Sequence, residues 1–300
     1  MPTFTDEQRR EFKELGFIVL PGELDSDLIS RAREGLKKGT PSDREEYDEV
    51  ADDEDRFKQM TQNIPSAEPF NEINRRMFEY AEELLGEDEL VPPGDGTQIA
   101  LRYPSGKSPH DPEAERPREL HGHLDGYGTG YEFGDQIEYA SIFGITYLDR
   151  VRPRGGGFTV WPGSHWTAQE YFRDHSLESG RGGLPAIDED GHWDYDRKRN
   201  DQFDPFEISG PPGTLILAHY KLEHTGGVNH SDSIRMAAIR RFRRKNAQDQ
   251  KHDAAQNIWK YWPKMQDVEV SPEFGPKEVT EPVPDAETVD IIERRGTHDH

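Results

Sequence analysis

The chain has 300 residues, enough for one large domain with a sizeable core. Only 32% of them are hydrophobic, Asp and Glu outnumber Lys and Arg by 60 to 37, and the formal net charge of −23 argues against a nucleic-acid-binding surface. There is no cysteine, which excludes disulfides, thiolate metal ligands and a Cys nucleophile, and no apolar run approaches the roughly 18 residues of a membrane span.

The N-terminal third reads as helical. Thr5 and Gln8 are spaced as a capping box, and a short helix runs from there to Leu15 and stops at Gly16. Phe17 to Leu20 forms a brief strand closed by Pro21-Gly22. A second helix begins near Asp25 or Ser26, with Leu24, Leu28, Ala32 and Leu36 recurring every four residues on its buried face. Residues 40–56 are acidic and aperiodic, as in a loop. Pro69 opens a third helix with a stripe of Phe70, Ile73, Met77, Ala81 and Leu84, ending at Gly86.

After Pro92-Pro93-Gly94 the pattern changes to strands. These are expected at Thr97 to Tyr103, Glu138 to Leu148, Gly157 to Trp161, Phe206 to Ile208, Thr214 to His219 and Met236 to Phe242. Residues 166–206 are polar and irregular, as in a lid or surface insertion. Asp253 to Met265 reads as a short helix presenting Trp259 and Trp262, and from Ser271 the chain is Pro- and Glu-rich, as in an extended tail. Helices first and short strands afterwards imply a mainly β domain with a helical layer on one side.

The chemistry concentrates in two stretches. His123 and Asp125 are two positions apart, and on a strand such positions share a face. The pair alone is common by chance. His224 is a candidate third ligand, followed by a turn-forming run and, eleven positions on, by Arg235. Two histidines and one carboxylate leave the far side of a metal open, the arrangement of non-haem Fe(II) oxygenases. A buried Arg235 would grip the distal carboxylate of a dicarboxylic 2-oxo acid; the competing reading is a surface arginine, since Arg240, Arg241, Arg243 and Arg244 follow closely.

The chain resembles the phytanoyl-CoA dioxygenase family of Fe(II)/2-oxoglutarate oxygenases, which includes ectoine hydroxylases. Four ordered blocks carry the resemblance: Thr5 through Pro21; His123-Leu124-Asp125; Gly156-Gly157 through Trp161-Pro162-Gly163-Ser164-His165; and Gly213 through His224 to Arg235. It implies a double-stranded β-helix, a cupin-like jelly-roll, with an N-terminal helical layer. It also implies Fe(II) on His123, Asp125 and His224, 2-oxoglutarate anchored by Arg235, and O2 as co-reactant. The implied activity is hydroxylation of an unactivated C–H bond in a small-molecule or lipid-like substrate, with release of succinate and CO2. His165 ends a turn outside the metal shell in this pattern.

The expected organisation is one dioxygenase domain over 1–245, helical to about 90 and jelly-roll over about 95–245, with the insertion at 166–206 and a partly extended C-terminal extension over 246–300. Trp161 stands where the family pattern has an aliphatic residue. Two other readings compete: a zinc hydrolase of metallo-β-lactamase type using His121, His123 and Asp125, although Gly126 stands where that motif needs histidine; and a jelly-roll that binds metal or ligand without turnover. The N-terminus has no basic or apolar leader pattern, so a cytoplasmic protein is expected, acting as a monomer or homodimer on a small-molecule substrate without membrane or nucleic-acid partners. The acidic, Lys-poor composition, with 12 Lys against 25 Arg, suits high salt.

Overall fold

The computed structural model describes residues 2–37, 59–64, 67–94, 96–111, 120, 122–125, 141–174 and 203–274. Within these, the capping box forms as expected: Thr5 Oγ1 accepts from the Gln8 N–H, and the Gln8 side chain accepts from the Thr5 N–H. Helix α1 (Asp6–Leu15) ends where Gly16 turns left-handed (φ +83°) and donates to the Phe12 carbonyl. A Cβ at residue 16 would collide with the His165 ring, so glycine is required there twice over. Strand β1 (Phe17–Leu20) follows, then α2 (Ser26–Lys37), whose first turn is capped by the Asp25 carboxylate accepting from Asp27 and Leu28 N–H groups. Helix α3 (Phe70–Leu85) buries the predicted stripe.

Among the described residues, nine strands build two antiparallel sheets. The larger has the order β1–β7–β4–β9–β3–β2, with β2 at Gln59–Ile64, β3 at Thr97–Arg102, β4 at Ile142–Tyr147, β7 at Leu215–His219 and β9 at Arg235–Phe242. The smaller has the order β6–β5–β8, from Phe206–Glu207, Phe158–Val160 and His224–Gly226. The result is the expected mainly β jelly-roll. Alternation along the strands sends Ile18, Leu217, Ile142, Leu101, Ala238 and Phe242 to the outer face, against the helices. On this face Gly144 lets Met77 of α3 approach to 3.0 Å of where a Cβ would stand. The inner face carries Phe143, Ile145, Tyr147, Ile216, Ala218 and Ala237 against Phe158, Val160 and Ile208 of the smaller sheet. Tyr147 stitches the two sheets: its hydroxyl donates to the Ile208 carbonyl (2.7 Å) and accepts from the Phe158 N–H (2.8 Å).

Three expectations need correction. β2 was not anticipated; its sequence, Gln-Met-Thr-Gln-Asn-Ile, has no apolar alternation, and the strand exists through its six-residue antiparallel register with β3. The polar segment expected from 166 begins with a helix, α4 (Ser164–Asp174), burying Trp166, Ala168, Tyr171 and Phe172. The helix placed at 253–265 lies earlier, as α5 (Ala247–Gln256), and Trp259 and Trp262 sit in the turns after it, buried against Phe12, His165 and His219. The loop at 40–56, His121, residues 175–202 of the expected insertion and the tail beyond 274 lie outside the described residues. Among the described residues, no helix is long and apolar enough to cross a membrane.

Candidate active site

β8 begins at His224, and opposite it lies His123. The two form an antiparallel backbone pair, His123 N–H to His224 C=O at 3.0 Å and the reverse at 3.2 Å. Directly opposed residues on paired strands present their side chains on one side, and the imidazole centroids are 4.6 Å apart. Asp125, in the turn two residues on, completes the group. One ligand atom from each of His123, Asp125 and His224 lies within 4.8 Å of the others. Asp125 Oδ1 is 3.4 Å from His123 Nε2 and 3.8 Å from His224 Nε2. All three predicted ligands are therefore brought together from positions a hundred residues apart.

The protonation states suit metal ligation. Burial lowers the His224 pKa to about 4, with His123 adding to the effect, so its ring is neutral at pH 7. His224 Nδ1–H donates to the Leu222 carbonyl (3.0 Å), which fixes the tautomer and leaves Nε2 as the ligand atom. Burial pushes the Asp125 carboxyl up, but the His123 hydrogen bond and the Arg241 charge beside it outweigh this and hold it well below the usual carboxylate range. His224 packs against Phe143 and Phe158, at centroid distances of 4.8 and 5.2 Å, while the His123 side chain is 52% exposed. The group is walled by aromatics on one side and opens to solvent at His123.

Arg235 is buried, as the reading of it as a cosubstrate anchor requires. Its Nε–H donates to the Gly156 carbonyl (2.7 Å) and Nη1–H to that of Ala100 (3.1 Å), so two backbone acceptors aim the fork. Burial lowers its pKa, opposed by the nearby Tyr147 hydroxyl and Glu207 carboxylate. Arg235, Ala237, Ile239 and Arg241 alternate onto the inner face of β9, beside Arg102, Ala100 and Gln98 of β3.

Several functional neighbours were not singled out from the sequence. Arg241 bonds Asp125 Oδ2 through Nε (2.5 Å). It stands an even number of strand positions from Arg235, and that parity was the signal for placing both on one face. Glu207 is half-buried near Arg235, accepts from the Gly157 N–H (2.7 Å), and desolvation raises its pKa to about 7. The Leu222 carbonyl, being main chain, left no signal. His165 and His219 lie elsewhere, in the aromatic layer under α1: His165 donates to the Lys13 carbonyl and His219 Nδ1 accepts from the Lys221 N–H. Burial holds both neutral, His165 near about 3. The αββα fold that the His121-based zinc reading requires is not the one formed here.

A family model described as phytanoyl-CoA dioxygenase (PhyH) matches residues 12–237. A search of curated protein sequences gives no match. Among solved structures, the carbocyclase SnoK from nogalamycin biosynthesis, described as non-heme and alpha ketoglutarate dependent, is 19% identical (TM-score 0.49, covering 80% of this chain and 83% of that one). AviO1 from Streptomyces viridochromogenes Tue57 is 14% identical (TM-score 0.49, 82% and 98%). EvdMO1 is 18% identical (TM-score 0.49) over 79% of this chain, which spans only 49% of EvdMO1.

Proposed function

Because the chain belongs to the phytanoyl-CoA dioxygenase family of Fe(II)/2-oxoglutarate-dependent oxygenases, we propose that it hydroxylates an unactivated C–H bond of a small-molecule substrate, with His123, Asp125 and His224 as the iron ligands and Arg235 as the 2-oxoglutarate anchor. The observation that carries the reading is the convergence of these three donors on the inner face that also buries Arg235. The donor set fits ferrous iron: two imidazole nitrogens and one carboxylate oxygen, no thiolate, and a solvent-open side for further ligands.

The bound iron and 2-oxoglutarate supply the activation of O2 that C–H hydroxylation needs. The balance is R–H, O2 and 2-oxoglutarate in, and R–OH, succinate and CO2 out. His224 presents Nε2 because Leu222 occupies Nδ1–H. Asp125 stays anionic and contributes negative charge to a dication. Arg235 offers a pre-aimed guanidinium whose remaining N–H groups match a carboxylate. Phe143 and Phe158 keep water from the buried flank of His224, and substrate approaches from the open side at His123. The acidic surface favours a neutral or cationic small molecule over a CoA ester, which would call for a basic entry patch.

The test is anaerobic loading with Fe(II) and 2-oxoglutarate, followed by visible absorption and by succinate release on admitting air. A weak metal-to-2-oxoglutarate charge-transfer band and substrate-stimulated succinate support the reading. Absence of both in a folded protein sinks it, and a zinc hydrolase or an inert binder gives neither.

A further inference from the structure

The two oxygens of Asp125 serve different partners. Oδ1 faces Nε2 of both histidines, while Oδ2 accepts from Arg241 Nε–H at 2.5 Å. The guanidinium is itself held on two further sides. Arg241 Nη1 donates to the Gln98 side-chain oxygen, and the guanidinium lies over the Phe143 ring, 5.3 Å from its centroid. Phe143 is the direct cross-strand partner of Arg241, and Gln98 lies on β3, the strand on the other side of β9. Arg241 is thus built into the inner face rather than folded onto it from solvent.

We infer that Arg241 is a positioning residue for the metal centre: it holds Oδ2 of Asp125 so that the carboxylate meets the metal through Oδ1 alone. A carboxylate beside a dication can bind through one oxygen or both. A charge-assisted hydrogen bond at this distance takes Oδ2 out of that competition and preserves a coordination position for the cosubstrate. The inference rests on the proposed role of the triad.

Two effects of Arg241 oppose each other. Its positive charge repels a neighbouring dication, so charge alone predicts tighter metal binding once it is removed. Positioning predicts weaker binding and a changed ligand field. Lys keeps the charge but cannot bond Asp125 and Gln98 together through a planar fork, so it should not rescue positioning.

The experiment titrates the full-length apoprotein with Co(II), following its d–d absorption, for wild type, Arg241→Gln and Arg241→Lys, with thermal unfolding as the fold control. Positioning predicts about ten- to a hundredfold weaker Co(II) binding in both variants, with a shifted d–d band and a retained unfolding transition. Arg241→Lys matching wild type, or Arg241→Gln binding Co(II) as tightly or more tightly with the same band, overturns the inference. Should Arg241→Gln not fold, Gln98→Leu carries the test: a smaller weakening and band shift support positioning, and wild-type behaviour overturns it. A wild-type protein whose Co(II) spectrum is unaffected by His224→Ala would instead remove the triad reading itself.

Discussion

His123 and His224 exchange both of their backbone hydrogen bonds, so the spacing of the two imidazoles is set by main chain rather than by the rotamers of long side chains. Either ring can therefore be removed while the backbone pair that carries it remains.

For that reason His224→Ala is expected to abolish stoichiometric Fe(II) binding and succinate production. The loss of stability should stay within about 0.5–3 kcal/mol, the ordinary range for a single substitution. Calorimetric metal titration alongside thermal unfolding checks this. Unchanged succinate production would exclude His224 as a ligand.

Arg235→Ala removes the buried fork and should raise the Michaelis constant for 2-oxoglutarate about ten- to a hundredfold. A lost charge-assisted pair is worth roughly 1.5–3 kcal/mol, or about ten- to a hundredfold, before the stranded Gly156 and Ala100 carbonyls are counted. Arg235→Lys should recover only part of this, because one ammonium cannot serve two backbone acceptors and a carboxylate in a plane. A 2-oxoglutarate constant unmoved by either change would mean that another cation holds the cosubstrate.

Gly122 precedes the first ligand, and a Cβ there would collide with the Glu223 carboxylate and stand 2.5 Å from the Trp161 ring, so relief at Trp161 removes only part of the clash. Trp161 is the position at which this chain departs from the family pattern, so the two residues are expected to be coupled. Gly122→Ala should displace His123 and weaken metal binding about tenfold or more. Adding Trp161→Leu should restore part of that affinity. A double-mutant cycle on Co(II) affinity measures the coupling, and additive losses would show the contact to be unimportant.

Glu207 gives the clearest pH dependence. Burial raises its pKa in the fold to about 7, above its ordinary carboxylate value, so the folded state binds the extra proton. Its contribution to stability is full at pH values below the unfolded pKa and is lost as pH rises through about 7. Ionisation also places an anion beside Arg235, where it competes with the cosubstrate carboxylate. The affinity for 2-oxoglutarate should therefore fall across pH 6 to 8 in the wild type and stay nearly flat in Glu207→Gln. Parallel profiles for the two proteins would contradict this.

The sequence made the site legible for physical reasons that also explain the gaps. The two-residue spacing of His123 and Asp125 marked the pair, although they stand on an isolated bridge and a turn rather than on a strand, and alternation placed Arg235 on an inner face. A capping box and an i, i+4 stripe located α1 and α3. β2 escaped because its stability comes from pairing with β3, a non-local cause. α4 escaped because its exposed side is small, so Trp166, Ala168, Tyr171 and Phe172 give no one-sided period. Arg241 was hidden among four neighbouring arginines, though its parity with Arg235 marks it as inward-facing. The Leu222 carbonyl that orients His224 has no side chain to read.

Lys13 extends these relationships to the order in which the molecule can be assembled. Its ammonium, buried in α1, donates to the carbonyls of Met265 (2.6 Å), Gln266 (3.3 Å) and Val268 (2.7 Å), and Trp259 and Trp262 close over Phe12 beside it. An emerging polypeptide thus releases the residues of its first helix early but cannot supply that cation's carbonyl partners until residue 268 has left the ribosome. The layer supporting the barrel is sealed by a stretch that lies 252 to 255 residues further along the chain than Lys13 in the helix it closes over.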